Sequence, residues 1–158
     1  MVEFTGASDF ADELRDFASE CRTAADEIPD ALDRAVELTV RAMAASAAYR
    51  APHDTGKLER SIEAYRRRVG GDRISWGYGT DVSYSRDVEY GTDPHTIRPR
   101  NADALRFEVN GETVYAAKVE HPGTDPAYFV RGGFDEHKRD LEANIDAEIG
   151  RVYTRAFS

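Results

Sequence analysis

Apolar residues recur every three or four positions along the first fifty residues. Phe10, Leu14, Phe17 and Cys21 share one helical face, and Leu32, Val36, Val40, Met43 and Ala47 continue it. Ser8 suits an N-cap, and Asp9 and Asp12 suit the positive end of a helix dipole. Pro29, with Asp30 beside it, is expected to interrupt or restart the helix, because proline removes an amide donor and crowds the preceding turn. Pro52 marks the end of the run. The stretch Ala42-Met43-Ala44-Ala45-Ser46-Ala47-Ala48 offers a small-residue surface on which something can pack closely. The pattern predicts a long amphipathic helix lying on a sheet.

The periodicity then changes. Asp54 or Thr55 can cap a short helix whose apolar residues are Leu58 and Ile62. Glu63 to Val69, the turn Gly70-Gly71-Asp72 and Arg73 to Gly77 predict a β-hairpin. Val82 to Tyr90 reads as strand or short helix. The segment 93–101, with two prolines, a histidine and two arginines, reads as a loop that is disordered in an isolated subunit and ordered in an assembly. Ala104 to Val109 and Glu112 to Val119 flank Asn110-Gly111, a strong hairpin signal. His121 to Pro126 reads as another loop. Phe134, Leu141, Ile145, Ile149, Val152 and Ala156 mark a C-terminal amphipathic helix. The order predicts an α+β fold, with an N-terminal and a C-terminal helix packed on an antiparallel sheet of hairpins. A single domain is expected over 1–158, with a helical region 1–50, a sheet region 51–130 and a helix 131–158. No internal repeat or low-complexity tract is visible.

Composition narrows the class. The 158 residues suffice for one core, and 41% hydrophobic with 32% charged residues favours folding over disorder. No apolar run approaches the ~20 residues a bilayer span needs, and no membrane partner is expected. The first ten residues, with Glu3 and Asp9, lack the basic and apolar regions of a signal peptide. Cys21 is the only cysteine, so it forms no internal disulfide and is expected as a small buried apolar residue. The net charge of −9 is uneven: residues 1–49 carry 4 basic and 11 acidic groups, whereas residues 50–106 carry 11 and 9. An acidic chain repels phosphate, which argues against wholesale nucleic-acid binding. Arginine outnumbers lysine 18 to 3. A high-GC genome explains that bias, and a halophilic source would explain it together with the acid excess.

Candidate chemistry is sparse. Asp54-Thr55-Gly56 matches the triplet of retroviral-type aspartic proteases, which dimerise to bring two carboxylates together around one proton. Its surroundings differ: Arg50-Ala51-Pro52-His53 precede it instead of an apolar strand, and Lys57-Leu58-Glu59-Arg60 follow with helical spacing. A turn and helix cap is the better account. His53, His95, His121 and His137 show no metal-ligand spacing, so no metal or cofactor is expected. No Gly-x-Ser-x-Gly nucleophile motif is present. Arg66-Arg67-Arg68 beside Tyr65 and near Trp76 could hold a single strand of nucleic acid, but consecutive strand residues point to opposite faces. They are better read as a sheet edge that pairs with acidic neighbours.

Three stretches together resemble one family. Ala51-Pro52-His53-Asp54-Thr55-Gly56-Lys57-Leu58, with Ser61-Ile62, resembles the x-P-x-D-T-G-x-L-x-x-S-I stretch of small head–tail connector and tail-completion proteins of long-tailed phages and related archaeal tailed viruses. Tyr84-Ser85-Arg86-Asp87-Val88-Glu89-Tyr90-Gly91-Thr92 resembles their Y-A-x-x-V-E-x-G-T stretch, although Arg86-Asp87 stand where small or aromatic residues are common. His121-Pro122-Gly123-Thr124-Asp125-Pro126 with Phe129-Val130-Arg131 resembles their closing H-P-G-T-x-P…F-x-R. The resemblance implies a non-enzymatic virion protein, assembled in the host cytoplasm. It implies a ring, often sixfold, that touches other neck proteins and the tail terminator or tail tube. Nucleic acid would be met only as genome passing through the ring. A tail terminator or minor tail protein is the alternative within that class, and a DTG-type protease the alternative outside it. Under this resemblance the interface or structural residues are Asp54, Thr55, Gly56, Leu58, Tyr84, Glu89, Tyr90, Gly91, Thr92, His121, Pro122 and Gly123. Gly91 is expected at positive φ, Tyr84 and Tyr90 packed on the helix, and Glu89 paired with an arginine, in this subunit or the next.

Overall fold

A computed structural model describes residues 6–68 and 74–158. The elements run α1 (Gly6–Arg50), α2 (Lys57–Arg60), β1 (Glu63–Arg68), β2 (Ile74–Gly79), α3 (Ser85–Tyr90), β3 (His95–Ile97), β4 (Leu105–Val109), β5 (Glu112–Ala116), β6 (Val119–His121), α4 (Phe129–His137) and α5 (Asp140–Ala156). The class is α+β, as the pattern predicts. The strands form three separate two-stranded antiparallel sheets, β1-β2, β3-β6 and β4-β5.

At 45 residues and 1.5 Å per residue, α1 is about 67 Å long. It runs through Pro29 without interruption, contrary to expectation. The proline ring faces solvent, and the helix is held on both sides of it by Ala24, Ile28 and Ala31 packing on Val152 and Ala156 of α5. That packing offsets the lost backbone bond. Ser8, expected as the N-cap, already lies within the helix. The expected turn at 70–72 lies outside the described residues.

The face that α1 buries is mostly alanine. Ala24, Ala31, Ala35, Ala44 and Ala47 are buried, with Val40 and Met43 among them, and Ala51 just past the helix end is buried too. Phe10, Leu14 and Phe17 are exposed, and so is Cys21, against the expectation of a buried cysteine. The reason is geometric: alanine lets another helix approach closely, and α5 lies antiparallel along this face. Asn144 donates from Nδ2 to Thr39 Oγ1 at 2.9 Å, Arg34 pairs with Glu148 at 3.0 Å, Arg155 with Glu27 at 2.9 Å, and the Phe157 ring meets Phe17. Where one helix ascends the other descends, and α5 stops at the level of Phe17.

The alanine stretch at the other end of α1 receives α4. A Cβ on Gly133 would stand 2.5 Å from the Met43 carbonyl oxygen and 2.9 Å from the Ala47 nitrogen, so only glycine allows the approach. The expected single C-terminal helix is therefore two, because α4 packs on the last turns of α1 and α5 on its middle. The His137 ring and the Asp140 carboxylate, 2.7 Å apart, span the break.

The β1-β2 hairpin is fastened to α1 through Asp33. Trp76 Nε1 donates to its Oδ1 at 2.6 Å, and Arg66 pairs with its Oδ2 at 2.7 Å. The β4-β5 hairpin forms where Asn-Gly predicts it, with Asn110 at φ 50° and Gly111 at φ 84°, as a type I′ turn requires. The segment 93–101, expected as a loop, contains β3, and His121, also expected in a loop, ends β6. Thr96 Oγ1 donates to Glu120 Oε2 at 2.6 Å across this pair. A three-residue strand bounded by prolines is too short for alternation to reveal it.

Candidate functional site

The three family-like stretches lie far apart in sequence and meet at the C-terminal end of α1. Leu58 and Ile62 from the first, Val88 from the second and Phe129 and Val130 from the third pack around Ala44, Ala47 and Ala51, together with Val82 and Tyr78. Phe129, at 0% exposure, is among the largest fully buried side chains.

Glu89 is the polar centre of this joint. It lies on α3 and is buried. Its carboxylate accepts the backbone N–H groups of Val130 at 2.8 Å and Arg131 at 3.0 Å. Those amides open α4, whose own N-cap residue, Tyr128, supplies no side-chain bond. The first amides of a helix need outside acceptors and favour negative charge, so Glu89 caps α4 from another element. In return the amides of Ala127 and Tyr128 donate to the carbonyl oxygens of Val88 (2.9 Å) and Glu89 (3.1 Å) at the end of α3. Tyr78 adds a bond from its hydroxyl to the Val130 carbonyl at 2.7 Å. Burial first, and the charge of Glu89 next, push the Tyr78 phenol above its ordinary pKa, so it remains a donor at neutral pH. Within the subunit, where an arginine partner was expected, backbone amides occupy the Glu89 carboxylate.

A second tie lies beside the first. Thr92 and Thr124 exchange both backbone hydrogen bonds, at 3.0 and 3.1 Å, and their hydroxyls meet at 3.0 Å. The residue before each threonine is a glycine at positive φ, Gly91 at 73° and Gly123 at 89°. A Cβ on Gly91 would fall well inside contact distance of the Thr124 carbonyl oxygen, and one on Gly123 inside that of the Thr92 carbonyl oxygen. The two Gly-Thr pairs therefore clasp each other reciprocally, and each needs its glycine both for φ and for space. Next to the clasp, Gly123 N–H donates to His121 Nδ1 at 3.0 Å, and the His121 ring stacks on His95 with centroids 5.0 Å apart. Pro122 is exposed.

The Asp54-Thr55-Gly56 turn closes the third side. Gly56, at φ 69°, is the N-cap of α2, with no side-chain cap bond. The expected capping by Asp54 or Thr55 is corrected: the left-handed glycine sets the helix start one residue beyond Thr55, whose hydroxyl reaches only the Lys57 amide, at 3.4 Å. The Thr55 carbonyl accepts from Arg60 Nη2 at 3.1 Å. Asp54 is exposed in this turn. A cleft of about 200 Å³ lies between this turn and the second stretch, lined by Pro52, Asp54, Gly56, Leu58, Tyr84 and Val88 among others. Tyr84 and Tyr90 are 41% and 67% exposed, so the expectation that they pack on the helix is also corrected. The single turn and a half of α3 sends Val88 and Glu89 inward and leaves the tyrosines outside.

Sequence reasoning missed Tyr78, the Thr124 half of the clasp and the close approach of Gly133. The pair Gly132-Gly133 inside an otherwise helical run, set against an alanine-rich helix, was the available signal for the last.

Among the described residues no three His, Cys, Asp or Glu side chains gather as a metal site would require, and no described helix is long and apolar enough to cross a membrane. Neither a curated protein nor a solved structure matches the chain. A family model does: "Bacteriophage HK97-gp10, putative tail-component" matches residues 8–91, which is just over half of the chain and includes the first stretch of the joint and the second up to Gly91. The third stretch lies beyond the matched residues and is bonded directly to the second. Matched over α1, the Asp-Thr-Gly turn and the Glu89–Gly91 end of α3, the chain belongs to the HK97-gp10-like family of bacteriophage tail components.

Proposed function

We propose that the protein is a ring subunit at the head–tail interface of a tailed virus, where it completes the tail for joining to the head. Family membership supports a structural role in the tail, and the joint carries the reading further. Its motif residues are spent on the chain's own backbone. Glu89 caps α4, Gly91 and Thr92 clasp Gly123 and Thr124, and Leu58 fills the core. Such a site holds a shape and leaves Asp54, Tyr84 and Tyr90 outside, available to neighbouring subunits. Partners are further copies in a ring, other neck proteins, and the tail terminator or tail tube. The net charge of −9 suits a ring through which a genome passes without being held.

The test is a virus in which this gene is silenced. Filled heads and finished tails that fail to join, with joining restored by added protein, are expected. Tails of uncontrolled length would favour a terminator instead. Normally joined particles would overturn the reading. Density for the subunit between portal and tail tube in whole particles is the direct check.

A further inference from the structure

The β4-β5 hairpin has a free edge. Its strands pair only with each other, and among the described residues no backbone group of β4 bonds to a third strand or to a loop. The hairpin register decides which groups are left over. A two-residue type I′ turn closes on a hydrogen-bonded pair, here Val109–Glu112, so Phe107–Val114 and Leu105–Ala116 are hydrogen-bonded pairs too. The N–H and C=O groups of Arg106 and Glu108 therefore point away from β5, toward the open edge. Their side chains share one face of the strand, opposite to that of Leu105, Phe107 and Val109. Both are exposed, and neither has an ion-pair partner among the described residues. The edge thus presents a cation, an aromatic residue and an anion in order. An exposed edge without proline or bulge is a template for another strand.

We propose that the occupant of this edge is β4 of a second copy, paired antiparallel about a two-fold axis at Phe107. Hydrogen bonding and charge together select the register. Antiparallel strands exchange bonds only between residues whose backbone groups face each other, so Arg106 and Glu108 must meet the same two residues of the partner subunit. Centred on Phe107, Arg106 lies opposite the partner's Glu108, and Glu108 opposite the partner's Arg106. Each bonded pair then carries opposite charges. A shift by two residues either way sets arginine against arginine or glutamate against glutamate, and in-register parallel pairing sets like charges side by side. The mixed signs of the edge, which suit neither a wholly acidic nor a wholly basic partner, suit a copy of itself. The axis stands perpendicular to the sheet, so Leu105, Phe107, Val109, Val114 and Ala116 of both copies line one face. A lone hairpin, marginal by itself, becomes part of a four-stranded sheet. The contact is isologous, so it closes on two copies and is not the contact that repeats around a ring. It goes beyond the ring reading, as the way a free subunit covers its edge, and stands or falls apart from it.

The experiment exchanges the charges, with Arg106→Glu and Glu108→Arg made singly and together and circular dichroism confirming wild-type secondary structure. Sedimentation over a range of concentrations is expected to show wild type passing from monomer to dimer. Each single variant sets like charges opposite each other, and should need about tenfold more protein or beyond to dimerise. An equal mixture of the two single variants is expected to dimerise one to one as readily as wild type, because the acidic edge of one meets the basic edge of the other. The double exchange is expected to recover the homodimer. As a second measurement, Phe107→Cys in a Cys21→Ser background is expected to give a disulfide-linked dimer and nothing larger on oxidation, because the central pair is a non-hydrogen-bonded one with Cα atoms about 4.5 Å apart. A wild type that is monomeric at every concentration, an oligomer that no charge variant weakens, single variants that do not recover on mixing, or no cross-linked dimer would overturn the pairing. None of these outcomes touches the ring reading, which is tested by the joining of heads to tails.

Discussion

At the C-terminal end of α1, Ala44, Ala47 and Ala51 lie beneath Leu58, Ile62, Val82 and Phe129, and every polar contact of the joint has a partner in the same chain. At the N-terminal end, Phe10, Leu14 and Phe17 face solvent over a row of carboxylates. The helix thus buries mainly alanines, with Thr39, Val40 and Met43 among them, and leaves its phenylalanines and Leu14 exposed. In a lone globular domain the large residues would be expected inside, because they gain most from leaving water. Small residues bring backbones together and fix relative positions, as Gly133 does against Met43 and Ala47. Large residues left outside supply the apolar area that a partner can cover. One end is closed within the subunit, and the other leaves its aromatic and leucine side chains in solvent.

That contrast can be broken most sharply at Phe129. Phe129→Ala should cost about 3–5 kcal/mol in a denaturant melt, as expected for an aromatic removed from a closed core. A loss below 1 kcal/mol would mean that the motif end is not the rigid one. Gly91→Ala and Gly123→Ala should each cost about 3 kcal/mol, from positive φ and the crowded carbonyl together. Because both strain one clasp, the double variant should lose clearly less than the sum.

Glu89→Ala should cost about 2 kcal/mol by leaving two part-buried amides of α4 without their acceptor. Hydrogen exchange at Val130 and Arg131 should rise before the rest of α4 responds. Tyr78 gives a smaller, pH-dependent effect. Its pKa is raised in the folded state above the ordinary tyrosine value of about 10, so the folded protein keeps this proton longer than the unfolded chain does. The stability linked to Tyr78 is complete below that value and is lost as pH rises through the higher folded one. Tyr78→Phe should remove this component of alkaline destabilisation, seen by comparing melts of the two proteins from pH 8 upward. At the bottom of the scale, Asp54→Ala and Phe10→Ser should each change subunit stability by less than about 0.5 kcal/mol, as is usual for exposed positions. A loss near 1 kcal/mol at Asp54 would restore its role as a helix cap. A similar loss at Phe10 would show that the open end is covered within the subunit.

Several elements were legible from local pattern alone. Helical periodicity marked α1 and the C-terminal helical region, and Asn110-Gly111 marked the β4-β5 hairpin, because a type I′ turn needs those residues in that order. The first two short stretches pointed to the family, and Gly91 to positive φ. The same local rules failed wherever a distant segment supplied the deciding partner. Pro29 stays helical because α5 spans it. The segment 93–101 holds a strand because Val119 to His121 lies opposite. Glu89, which charge alone would pair with an arginine, instead meets the amides that α4 leaves open forty residues later. Periodicity and turn chemistry are properties of neighbouring residues, so the sequence by itself determined the two helical regions, the β4-β5 hairpin and the short motifs between them. Capping, close helix approach and the reciprocal glycine clasp depend on groups far apart in the chain, and only the tertiary structure decided which face of α1 is buried and which groups hold the joint closed.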